Sequence, residues 1–80
     1  MTTDYRPIAC ETYAELEVAI MQGSRLRVAW YTRNGLPHVS CLLPIDLRTR
    51  RGEEFLIARV PPGRAEVEIR LDRIRRFVPL

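Results

Sequence analysis

At Gly23 the spacing of apolar residues in this chain changes from helical to alternating. Before it, Tyr13, Leu16, Ala19 and Ile20 share one side of a 100° wheel. After it, apolar side chains recur at every second position, as half-buried strands require. The chain must therefore fold as one short helix followed by a run of strands. With 80 residues it forms one domain with a small core. Apolar residues at 46% and charged residues at 29% describe a folded soluble domain rather than a disordered chain.

The helix is expected over about residues 12–22, preceded by an extended arm at 1–11. Thr12 and Glu15 have the spacing of a capping box, and Gly23 is a natural stop. Glu11 and Glu17 lie near the first turn, where the helix dipole favours negative charge. Ala14, Val18 and Met21 form a second apolar flank, with Glu17 between it and Tyr13. One short helix thus carries more apolar surface than a single contact needs. Tyr5, Pro7 and Ile8 are expected to lay the arm over the strands.

Five strands are expected between residues 24 and 78. Leu26, Val28 and Trp30 alternate with Arg25, Arg27 and Ala29, which places Trp30 in the core. Asn34-Gly35 is a hairpin signal, because both residues tolerate positive φ. LPHVSCLLPIDL follows, with Pro37 and Pro44 limiting its pairing. LRTRRGEE reads as a charged loop, and EFLIARV as a third strand with Leu56, Ala58 and Val60 inward. PPGR is a turn. In AEVEIRL, Ala65, Val67, Ile69 and Leu71 alternate inward against Glu66, Glu68 and Arg70 outward. Asp72 braces a tight bend before a last strand anchored by Ile74 and Phe77. Five short antiparallel strands, each with one buried face, hide that face and their edges best by closing into a small barrel.

No apolar run reaches the roughly 20 residues needed to cross a bilayer. The opening MTTDYRP lacks the layout of a secretory signal. A cytoplasmic protein is expected, with Cys10 and Cys41 as ordinary half-buried thiols. His38-x-x-Cys41 is too sparse a pattern for a metal site. No nucleophile–base pattern and no phosphate-binding glycine loop is present, so neither an enzyme nor a cofactor is expected.

All thirteen basic residues are arginine, and the charge is unevenly placed. Residues 1–23 hold Asp4, Glu11, Glu15 and Glu17 against Arg6, a net of −3. Residues 24–80 hold twelve arginines against six acids, a net of +6. The molecule therefore has two electrostatic poles.

Two stretches also carry a family resemblance. Y-x-P-I-x-C-x-x-Y-x-x-L-E-x-A at residues 5–19 and R-L-D-x-I-x-x-F at residues 70–77 resemble the Rho-binding antiterminator family, called Rof. The resemblance implies a single Sm-like barrel with an N-terminal helix. It implies binding to the hexameric termination factor Rho at or beside its primary RNA site, and so weaker termination. The implied docking residues are Glu11, Tyr13, Ala14, Glu17, Val18 and Met21 on the helix. Arg50 and Arg51, in the loop between the second and third strands, complete the set. Carboxylates there would meet cations that otherwise hold phosphate. Core packing and helix capping account for Tyr13 and Glu15 equally well. The alternative is an Sm-like module that binds RNA directly, through Arg48, Arg50, Arg51, Arg73, Arg75 and Arg76 with Trp30, Tyr31 and Phe55. A purely structural subunit is the third reading.

Overall fold

The helix begins two residues earlier than its capping pattern predicts. In the computed structural model, which describes residues 4–80, α1 spans Cys10–Gln22. Ala9 precedes the first turn, and no side chain caps it. Its carbonyl accepts the Tyr13 amide at 3.0 Å, so Thr12 lies inside the helix and the expected box does not form. The reason is the arm. Tyr5 and Ile8 pack against the core, and the Arg6 amide donates to Asp72 at 3.1 Å. The arm thereby delivers the chain into the helix at Ala9. The other end follows expectation: Gly23 takes φ +64°, its amide bonds Ile20, and the Ser24 amide bonds Ala19 at 2.9 Å. That pair satisfies the last carbonyls of the helix.

All five expected strands form: β1 (Leu26–Tyr31), β2 (Pro37–Arg50), β3 (Glu53–Arg59), β4 (Glu66–Arg70) and β5 (Ile74–Pro79). They make one antiparallel sheet in the order β4-β3-β2-β1-β5. The fold is thus mostly β, with one N-terminal helix. Long β2 serves two ladders. Residues 37–42 pair with β1, and residues 43–50 pair with β3 across an irregularity between Pro44 and Asp46. The proline therefore bends the strand without ending it.

The sheet curls but is not closed by hydrogen bonds. β4 and β5 are its two edges, yet a single 3-10 turn, Leu71–Arg73, joins them. In a flat sheet those edges would lie about 19 Å apart, four strand spacings. A turn of three residues covers only about 6 Å. The sheet must wrap to bring its edges to the same turn, and no ladder then forms between them.

The core sits inside the wrap. Leu16 and Ala19 enter it from α1, Leu26, Val28 and Trp30 from β1, Leu42 from β2, and Leu56 and Ala58 from β3. Ile69 and Leu71 complete it. Three sequence expectations fail at the surface. Ala65 is exposed, because β4 starts after it. Arg70, expected outside, has a side chain only 12% exposed. Cys10 and Cys41 are both exposed free thiols rather than half-buried ones.

Two turns differ from their sequence signals. At Asn34-Gly35 only the glycine has positive φ, +79°, and the loop closes through Thr32 and Leu36. The charged stretch read as a loop is a two-residue turn instead. Arg50 pairs with Glu53, and Arg51 and Gly52 both take positive φ between them. Arg50 is therefore a strand residue.

The core should respond to truncation as a packed interior does. Leu56→Ala is expected to cost about 3 kcal/mol in urea unfolding, since Leu56 is fully buried. Val39→Ser, on the exposed face of β2, should stay within about 0.5 kcal/mol.

Candidate functional site

Two surfaces collect the residues that could bind a partner. On α1, Glu11, Ala14, Val18 and Met21 succeed one another at intervals of three or four, forming one stripe. Glu15 runs along one side and Glu17 along the other. All of them are exposed, Val18 at 48% and Met21 at 84%. Leu16 and Ala19 occupy the buried side. The glutamates 11, 15 and 17 enter no ion pair among the described residues.

Tyr13 lies at the border of the two sides. It is half-buried against the core and lines a cavity of about 240 Å³ with Glu17, Met21 and Asp46. Burial holds its phenol above the usual 10.0, with Glu54, Glu17 and Asp46 adding to the shift. Ala14 and Val18 line a separate depression of about 370 Å³ beside Leu26 and Pro79.

The second surface is a groove of about 420 Å³ where the ends of β1, β2, β3 and β4 meet. Tyr31, Arg33, Arg50, Phe55, Glu68 and Arg73 line it. The Arg50 guanidinium lies 4.9 Å from the centre of the Phe55 ring and is paired with Glu68. The Arg75 guanidinium lies 5.4 Å from the centre of the Tyr31 ring. Arg33 and Arg73 make no ion pair among the described residues. Trp30 belongs to the core, with His38 tilted against it at 4.8 Å.

The implied docking set therefore does not assemble whole. Its six helix residues share α1, but Arg50 is turned into the groove and Arg51 sits at the hairpin tip. Of the arginines offered as phosphate contacts, Arg50 and Arg73 reach the groove. Arg75 flanks it over Tyr31, Arg48 pairs with Asp46, and Arg76 lies elsewhere, beside Arg27. Arg33 was not singled out in the sequence. Its place two residues after Tyr31, in a hairpin loop, was the available signal.

Next to the groove, the arm is locked by a charged cluster. Arg70 donates through Nε and Nη2 to the two oxygens of Asp72, at 2.7 and 3.0 Å. Its Nη1 donates to Asp4 at 2.8 Å, and Glu53 lies at 3.7 Å. The Arg70 guanidinium holds the Asp4 carboxyl below its usual value. The Asp4 contribution is thus present above pH 3.8 and lost as pH falls through the lowered value. Tyr5 donates to Glu54 at 2.9 Å. Among the described residues no three His, Cys, Asp or Glu side chains group as metal ligands, and no helix is long and apolar enough to cross a membrane.

No known family model matches the sequence, and no curated protein matches it. Among solved structures, the fold is similar to part of proteasome accessory factor B/C (PafBC) of Arthrobacter aurescens, with a TM-score of 0.75. The identity is 20%, and the match covers 98% of this chain but only 13% of that one. At this identity the likeness is one of fold.

Burial, then the bond to Glu54, pushes the Tyr5 phenol well above its ordinary 10.0. The fold favours the protonated phenol, so its contribution is complete below pH 10 and fades as pH rises through the raised value. Unfolding free energy should fall on that alkaline limb, and Tyr5→Phe should flatten the fall. At pH 7 the same substitution is expected to cost about 1 kcal/mol by urea unfolding.

Proposed function

We propose that the chain is a non-enzymatic binding module that holds single-stranded RNA in the groove of Tyr31, Phe55, Arg33, Arg50 and Arg73. The observation that carries this reading is an exposed aromatic ring in one groove with Arg33 and Arg73, which make no ion pair among the described residues. Such grooves suit single strands, because a base stacks on the ring while guanidinium groups take the adjoining phosphates. Arg50 and Arg75, already against ring faces, would extend the stack. The groove also holds Glu53 and Glu68, which disfavour phosphate at that end and set a direction for the strand.

A second reading is favoured by the helix. The acids of α1 are exposed around an apolar stripe and make no ion pair among the described residues, as docking on a basic, aromatic-lined RNA site would need. Together with the resemblance at residues 5–19 and 70–77, this supports Rho as a partner and antitermination as the outcome. On this reading the protein works in the cytoplasm. The contact would use Glu11, Glu17 and Met21 without help from Arg50.

Mixing the protein with labelled pyrimidine-rich RNA, with and without Rho, separates the two. The groove reading expects an RNA shift without Rho. Arg33→Glu combined with Arg73→Glu should then weaken binding at least about tenfold, and lower the log–log salt slope by about 1.4 if two phosphates are lost. Tyr31→Ala should cost about 1–3 kcal/mol. No shift by the protein alone, but displacement of RNA from Rho, would replace the groove reading with the second. In that case Glu17→Lys should cost at least about 1.5 kcal/mol of Rho affinity.

A further inference from the structure

The charges of this molecule are segregated by element. Helix α1 carries Glu11, Glu15 and Glu17 and no basic residue. Strands β1 and β5 carry arginines and no acid, and residues 37–42 of β2 carry neither. The sheet face they form is also apolar. In register, Val39 lies opposite Ala29, which lies opposite Arg76, and the neighbouring row runs Cys41, Arg27, Val78. Val39 is 60% exposed and Val78 47%. With Arg27, Ala29 and Arg76 they line a depression of about 170 Å³. Neither Arg27 nor Arg76 makes an ion pair among the described residues.

The two surfaces match in kind and in size. From Ala14 to Met21 the apolar stripe of α1 runs about 10 Å along the helix axis. Three adjacent strands span about the same distance, two spacings of roughly 4.8 Å. The stripe offers Val18 and Met21 between acids, and the sheet offers Val39 and Val78 between arginines. Within one chain the helix turns its other side to the core. We therefore propose that the α1 stripe of one copy docks across the β2-β1-β5 face of a second copy of this chain. Glu15 and Glu17 meet Arg27 and Arg76 at the rim, and Val18 and Met21 cover Val39 and Val78. The sheet face shares no residue with the RNA groove, so this contact does not depend on that reading. The stripe is also the surface that docking on Rho would use, and one occupant excludes the other.

Sedimentation velocity of the full chain over a wide concentration range tests the contact. The weight-average mass should rise with concentration at 50 mM salt, and this rise should shrink at 500 mM. Glu15→Arg with Glu17→Arg, and separately Arg27→Glu with Arg76→Glu, should each raise the dissociation constant at least about tenfold. An equimolar mixture of the two reversed variants should associate again, which misfolded proteins would not do. A wild-type chain that stays monomeric throughout overturns the contact. So does association that neither reversal weakens, or a mixture that fails to recover. Monomeric wild type whose helix reversal abolishes RNA displacement from Rho would give the stripe to Rho instead.

Discussion

The Arg70–Asp72 fork ties the N-terminal arm to the bend between β4 and β5. Both side chains are nearly buried, at 12% and 11% exposure, so each charge needs the other. The gain is not primarily in free energy. Removing two charges from water costs about as much as their attraction returns. What the fork adds is position. Asp72 also accepts the Arg6 amide, Arg70 also reaches Asp4, and its guanidinium lies over the Tyr5 ring. The arm, whose Tyr5 and Ile8 pack against the core, is thereby fixed to the bend that joins the sheet edges. The start of α1, and hence the direction in which its acids face, follows from that anchoring.

This geometry gives the two motifs at residues 5–19 and 70–77 a physical reason to occur together. They are distant in sequence, yet Tyr5 and Arg6 meet Arg70 and Asp72 directly. Leu71 is core, and Ile74 and Phe77 pack against it. Most of the second motif is therefore explained by folding. The residues that folding does not use are the outer stripe of α1, Arg33 and Arg73 of the groove, and the exposed rows of the sheet. Their charges differ in sign from one surface to the next, so a single field does not describe the molecule.

The fold was largely legible because it rests on local pattern. Alternation located β1 and β4, and Gly23 marked the helix end, since a residue without Cβ takes the left-handed turn cheaply. What escaped was set by contacts distant in sequence. Ala9 starts the helix because the arm is pinned by Asp72, 66 residues beyond Arg6. Arg70 reads as outward by alternation but is drawn in by three carboxylates, of which Asp4 and Glu53 lie outside any local window. Arg51 takes positive φ although it is no turn former, because the ladder from Leu47 to Arg50 dictates the reversal. Sheet closure was inferred from the need to hide edges, whereas the short 3-10 turn brings the edges together without pairing them. Of the site, the acidic stripe was visible as a helical pattern. The groove was legible only in part: Tyr31, Phe55, Arg50 and Arg73 stand among the arginines and rings expected to contact RNA, but Arg33 does not, and no local pattern shows that these separate segments meet.

Strand β2 has a consequence for how the molecule can come apart. Its first half belongs to the ladder with β1 and its second to the ladder with β3, and the chain passes between them without a break. Neither hairpin owns a strand that it could keep if the other were lost. Fraying that starts at either tip propagates into the backbone shared by both. Small openings should therefore stay confined to the hairpin ends, and anything larger should melt the whole sheet as one cooperative unit.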